Sequence, residues 1–215
     1  MKKLFIYCLM SLSLQACSQS SNAPNKISQN DRNVGGRCEG CEAVYESPVA
    51  FEQLNSTDTS EAFEKAGLKI KYSGIVFEND GRTPATGVVL YYYHTNEKGV
   101  YPTRGNEQGW AKRHGYLRGW VKTDKDGRYS FYTIRPGSYP NSRAPAHIHV
   151  IVKESGKTPY YIDDFLFAED PFLEGETPNA RPRGGNGVVN VKHADGNISS
   201  VNRNIILGEN IPDYK

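Results

Sequence analysis

The chain has 215 residues, with 26 Lys and Arg against 24 Asp and Glu, for a formal net charge of +2. Basic residues are interspersed with acidic ones rather than striped, which excludes the electrostatic footprint of a nucleic-acid binder. The length suits one domain with an attached segment. Tyrosine reaches 14 residues, and 21 Gly with 12 Pro punctuate short apolar runs, a pattern of many short strands and turns.

The amino end reads as an address. Lys2 and Lys3 precede an apolar run over residues 4–14, too short to span a bilayer as a helix. Leu14-Gln15-Ala16-Cys17 follows and resembles the bacterial lipobox. That resemblance implies cleavage after residue 16, lipidation of Cys17, and an exported protein anchored to a bacterial membrane, in the periplasm or at the cell surface. An ordinary signal peptide with a chance cysteine is the competing reading. Residues 17–34 are polar and read as a flexible tether, leaving 35–215 as the folded domain. Cys38 and Cys41 enclose Glu39 and Gly40. One such pair is short of the four ligands of structural zinc and has no βαβ context for redox work. In an oxidising compartment it reads as a small local disulfide, with free thiols as the alternative.

A helical turn is expected over residues 61–67. Strands follow at Lys69–Phe77, 87–94, 116–123, Arg128–Ile134, His147–Lys153, Tyr160–Phe167, 188–191 and 201–207. Asp124-Lys125-Asp126-Gly127 is a hairpin turn, since the later ligands of a calcium loop are missing. Residues 178–187 form a Pro, Arg and Gly loop. About eight short strands with regular turn signals predict an all-β, antiparallel sandwich whose loops carry any site.

Residues 146–150, Ala-His-Ile-His-Val, are the most informative stretch. Strand alternation puts His147 and His149 on one face and the apolar residues on the other. Two imidazoles on a rigid strand make a platform for a transition metal. Upstream, Pro136 and Gly137 force a turn that delivers Tyr139, and a second turn, Glu97-Lys98-Gly99-Val100, ends in Tyr101. Phenolate is a hard anionic donor suited to ferric iron, whereas zinc ordinarily recruits Cys, His or carboxylate. Tyrosines at sheet rims also pack structurally, so this sequence alone leaves that reading open. His94, His114 and His193, scattered among loops and strand ends, read as surface residues.

Residues 72–171 resemble the intradiol ring-cleavage dioxygenases, the protocatechuate and catechol dioxygenase family. The resemblance rests on Ser73-Gly74-Ile75-Val76-Phe77, on residues 124–139 (DKDGRYSFYTIRPGSY), on Pro145-Ala146-His147-Ile148-His149, and on residues 163–171 (DDFLFAEDP). It implies a non-haem Fe(III) held by Tyr101, Tyr139, His147 and His149, with Tyr139 and His149 axial. It implies a small aromatic diol and dioxygen as substrates, and cleavage between the hydroxylated carbons to a muconate-type diacid. Tyr139 would leave the metal and take a substrate proton, and Arg143 would stabilise negative charge on the ring. The family often has Arg directly before Pro-Ala-His, where this chain has Ala144, and a family glutamine is replaced by Asp164, which is expected to line the substrate pocket. Rival readings are an inactive surface lipoprotein that binds a ligand or partner, and a copper or zinc protein using the histidine pair alone. Homo-oligomerisation is compatible with the sequence, which fixes no oligomeric state.

Overall fold

The computed structural model describes residues 25–64, 67–173, 180–193 and 198–215. The leader and Cys17 lie outside them, as do Pro178 and Asn179 of the expected loop. Among the described residues no helix is long and apolar enough to cross a membrane.

Ten strands are present among the described residues: β1 (Thr57–Thr59), β2 (Lys69–Phe77), β3 (Val89–His94), β4 (Arg118–Lys122), β5 (Arg128–Ile134), β6 (His147–Lys153), β7 (Tyr160–Phe167), β8 (Val188–Val189), β9 (Ile198–Asn202) and β10 (Ile205–Ile206). One sheet runs β1-β5-β2-β10, with β9 beside β10 along the same edge of β2, and the other runs β4-β3-β6-β7-β8. The predicted all-β sandwich is therefore the fold. Its inner pairs are antiparallel, while β1, β8, β9 and β10 add short parallel edges. The last expected strand is two strands, broken at Arg203-Asn204. The expected helical turn is a turn over residues 61–64, and α1 (Ala111–His114) is a single turn of helix.

Alternation explains the core. On β2, Ile70, Tyr72 and Val76 face inward, and on β5 so do Tyr129 and Phe131. They meet Leu90, Tyr92, Ile148, Val150, Phe165 and Phe167 of the second sheet. Tyr92 and Phe131 stack at 3.9 Å between ring centroids. His94 continues the inward row of β3 and is fully buried, contrary to the surface reading. Its Nδ1 donates to the Thr95 carbonyl at 2.7 Å, and its Nε2 meets the Thr133 hydroxyl of the opposite sheet at 2.8 Å. Burial lowers its pKa to about 4, so it sits in the core neutral and satisfied.

The second sheet is covered on its outer face too. Cys41, Ala43 and Val44, from the 3₁₀ turn Cys41–Glu46, pack on Val89, Tyr91 and Ile151. This is why β3 is apolar almost throughout rather than alternating. Cys38 and Cys41 are joined as a disulfide. Residues 25–34, expected within a flexible tether, lie against the sandwich instead. Val34 enters the core, Lys153 pairs with Asp31 at 2.9 Å, and the Arg32 guanidinium donates to the carbonyls of Asp213 and Tyr214. Polar side chains here bind particular backbone and charged groups, which composition cannot reveal.

Candidate metal centre

The outer face of β6 presents His147, His149, Ile151 and Lys153 in turn. Ile151 belongs to the packed layer under the amino-terminal segment, and the two histidines extend beyond it. The loops that follow β3 and β5, at the end of the sandwich where β6 starts, close over them.

Two glycines bring the tyrosine-bearing loops together. Asn96 closes the first loop, accepting at its Oδ1 from the amides of Lys98 and Val100. The Gly137 amide donates to the Asn96 carbonyl at 2.9 Å, and the Thr95 hydroxyl donates to the Gly137 carbonyl at 2.8 Å. A Cβ on Gly99 would collide with the Ser138 carbonyl, and one on Gly137 with that of Glu97. Only at this close approach do Tyr101 and Tyr139, 38 positions apart in the chain, touch.

Four polar atoms converge. Tyr101 Oη and Tyr139 Oη are 2.6 Å apart, and the His147 and His149 Nε2 atoms are 3.1 Å apart. Tyr101 Oη lies 2.9 Å from His149 Nε2, while Tyr139 Oη lies 3.1 Å from His147 Nε2 and 3.3 Å from His149 Nε2. The outer nitrogens settle the tautomers. His147 Nδ1 meets the Pro145 carbonyl at 2.7 Å, and His149 Nδ1 meets an Asp164 carboxylate oxygen at 3.0 Å. Both partners accept, so each Nδ1 carries the proton and each Nε2 aims a lone pair inward.

Proton counting then decides what the cluster suits. Two phenolic protons serve at most two of the five close contacts. The Nε2 pair faces lone pair to lone pair with no proton to share. One cation at the centre satisfies all four atoms at once, since donors bound at about 2 Å to a common ion stand about 3 Å from one another. Burial raises the Tyr101 phenol well above its ordinary range and raises Tyr139 as well. Burial, then the neighbouring His149, lowers His147. These groups resist becoming charged by themselves, so ionising the phenols needs a cation beside them. Two phenolate oxygens and two imidazoles fit ferric iron as a donor set, by the hardness of the oxygens.

Asp164 stands beside the cluster. His147, His149 and Asp164 offer ligand atoms within 4.8 Å of one another. The carboxylate sits on the outer nitrogen of His149, where it orients that ring. A β-bulge aims it. Ile148 pairs with Phe165 and Val150 with Ile162, so His149 alone faces both Asp163 and Asp164. Strand alternation in the sequence carries no mark of this extra residue.

Arg143 is exposed on the loop before β6, its guanidinium 5.7 Å over the Phe172 ring. His114, expected at the surface, is buried: its Nδ1 meets the Tyr91 hydroxyl at 2.8 Å and its ring lies flat on Tyr93. His193 is exposed, as expected. A groove of 740 Å³ lined by Asp58, Arg104, Arg118 and Trp120 shares no residue with the cluster. Its cations are taken up in ion pairs, Arg104 with Glu61 and Arg118 with Glu46, and of its two aromatic rings Trp120 is covered by Arg118 and Tyr91 and Tyr116 by Arg104.

A family model described as Dioxygenase matches residues 43–197. The protocatechuate 3,4-dioxygenase beta chain of Burkholderia cepacia is 30% identical over 132 residues, covering 56% of this chain and 56% of that protein. Catechol 1,2-dioxygenase 1 of Acinetobacter lwoffii is 33% identical over 98 residues, covering 45% of this chain and 30% of that protein. The chain thus spans about half the length, or less, of the curated relatives it matches. Among solved structures, the dioxygenase domain of a dioxygenase carbohydrate-binding protein fusion from Streptomyces sp. SirexAA-E aligns with a TM-score of 0.54 at 23% identity, over 70% of this chain and 88% of that one. Catechol 1,2-dioxygenase from Acinetobacter sp. ADP1 aligns with a TM-score of 0.54 at 20% identity, over 70% and 56%. At these identities the structural likeness speaks to the fold, and the family match, which spans both tyrosines, the histidine pair and Asp164, carries the assignment: the chain belongs to the intradiol dioxygenase family.

Proposed function

We propose that this chain is a non-haem Fe(III) dioxygenase that cleaves catechol-type rings between the two hydroxylated carbons, with Tyr101, Tyr139, His147 and His149 as the metal ligands. The observation that carries the reading is the proton deficit of the cluster: five close polar contacts with two protons among them. A non-catalytic sandwich has no use for that arrangement. Copper or zinc on the histidine pair alone leaves the two phenols unexplained.

When bound, ferric iron supplies Lewis acidity, drawing electron density from a chelated diolate so that its ring reacts with dioxygen. The remaining roles fall to the chain. His147 and His149 are preset, each with Nδ1 bonded outward and Nε2 aimed inward, so binding requires no change of tautomer. Burial makes Tyr139 a weak acid, so its phenolate would readily take a proton from an incoming hydroxyl. Tyr101 would remain with the histidines as the second oxygen donor, its hydroxyl 2.9 Å from His149 Nε2. The guanidinium of Arg143, 5.7 Å over the Phe172 ring on the loop before β6, is the group we assign to stabilising negative charge on the substrate. His149 is a quarter exposed, which leaves the centre open to a small planar ligand.

The test is an absorption spectrum with iron analysis, then a screen of substituted catechols for muconate-type products. Purified protein should bind one iron and show a broad visible band from tyrosinate-to-iron charge transfer. Tyr139→Phe should lose most of that band and all ring cleavage while its far-ultraviolet circular dichroism stays the same. Full turnover by Tyr139→Phe, or an iron-free colourless protein that still cleaves catechol, refutes the assignment.

A further inference from the structure

One side of His149 is governed by residues outside the proposed ligand set. Tyr93 of β3 is its cross-strand partner, directly opposite in the register of the two strands. Their rings stack with centroids 4.5 Å apart and 25° between planes. The opposite side of Tyr93 is covered by His114, at 3.7 Å and 7°. Three flat rings thus form one pile, His114–Tyr93–His149, and its last member aims a lone pair into the cluster. Tyr93 also leans on Tyr101 at 6.0 Å, so it touches one nitrogen and one oxygen member of the proposed set.

The outer end of the pile is fixed in turn. The Tyr91 hydroxyl meets His114 Nδ1 at 2.8 Å, and the Trp110 ring lies 5.3 Å from His114. Gly40, between the disulfide cysteines, has φ of 84°, and a Cβ there would stand 3.1 Å from His114 Cε1 and Nε2. The short Cys38–Cys41 loop can therefore lie directly over the His114 ring. This connects a buried histidine, the last of the three consecutive tyrosines at 91–93 and the Cys-Glu-Gly-Cys segment to a single task.

We propose that Tyr93 and His114 are positioning residues that fix the ring plane of His149, and through it the metal-holding geometry. The inference rests on the reading of the cluster as a metal centre. Asp164 fixes His149 in the plane of its ring through Nδ1, and the pile fixes the rotation of that plane. A hydrogen bond alone leaves the imidazole free to rock about the Nδ1–Oδ1 line. A stacked face removes that freedom and so keeps the Nδ1–Asp164 bond, which sets the tautomer, continuously made.

The experiment compares Tyr93→Leu and His114→Ala with Tyr93→Phe and His114→Phe, which keep a flat ring. Ferric titration of the metal-free protein, followed in the visible charge-transfer band, should show binding weakened about tenfold or more in the first pair. The second pair should stay within about threefold of the unaltered protein, by the same argument. Imidazole ¹⁵N spectra of the metal-free proteins give a readout that needs no iron. His149 should show one Nδ1–H tautomer in the unaltered chain and in the ring-retaining variants, and exchange between tautomers in Tyr93→Leu and His114→Ala. Thermal unfolding confirms that each variant is folded. An unchanged His149 tautomer with unchanged ferric affinity in Tyr93→Leu overturns the positioning role. If the unaltered protein takes up no ferric ion, the metal reading fails instead, and the tautomer spectra still decide the role of the pile.

Discussion

Removing the charge from Asp164 separates its role as an orienting group from that of a substrate contact. Its carboxylate is 3.0 Å from His149 Nδ1, with side-chain exposures of 32% for Asp164 and 25% for His149. Loss of a partner on the outer nitrogen of a metal-binding histidine typically costs about 10- to 100-fold in affinity. Asp164→Ala removes both the acceptor and the charge and belongs near the upper end. Asp164→Asn keeps an amide oxygen that accepts from Nδ1–H and loses only the charge. Because a third of the carboxylate is exposed, water screens that charge, and about three- to tenfold, or about 0.7 to 1.4 kcal/mol, is expected. The assay is ferric titration of metal-free protein against a competing chelator, read in the visible band. Asp126→Asn, whose carboxylate faces Lys125 and Arg128 in the β4–β5 turn, serves as the charge-matched control. The reasoning fails if Asp164→Ala binds iron as tightly as the unaltered chain, or if the control weakens binding equally.

Three further outcomes are open to measurement. His94 titrates near pH 4 in the fold but near 6.5 unfolded, so the unfolded chain binds the extra proton between those values. Its contribution is complete above pH 6.5 and is lost as pH falls toward 4; at pH 5 the loss is about 2 kcal/mol, measurable by urea unfolding and reduced in His94→Gln. Gly137→Ala should push apart the two tyrosine loops, lowering iron affinity more than tenfold and stability by about 1 to 3 kcal/mol, and an unchanged charge-transfer band would refute that account. We further propose that Cys17 carries a lipid anchor: Cys17→Ser should move the protein from the membrane fraction to the soluble fraction, and continued membrane retention contradicts the lipobox reading.

The elements that depend on neighbours in sequence were legible before any coordinates. Lys69–Phe77 and Arg128–Ile134 were read as strands with the bounds that β2 and β5 have, because short apolar runs between turn residues are a local signal. Side-chain alternation placed His147 and His149 on one face, and turn residues delivered both tyrosines to strand ends. Alternation also placed His94 inward, had it been applied past the end of the tyrosine run.

Tertiary structure alone decided three things. The docking of two loops through Gly99 and Gly137, which lie far apart in the chain, makes Tyr101 and Tyr139 meet. The bulge in β7 exists only in the pairing of two strands, and it makes Asp164, a carboxylate in mid-strand, the partner of His149. The amino-terminal segment, packed on the outer face of the second sheet, buries His114 and completes the ring pile. Each of these is a long-range contact whose free energy comes from groups distant in sequence, so no local pattern records it. What the amino-acid order did determine was which residue types were available to meet there: two phenols and two imidazoles on stiff supports.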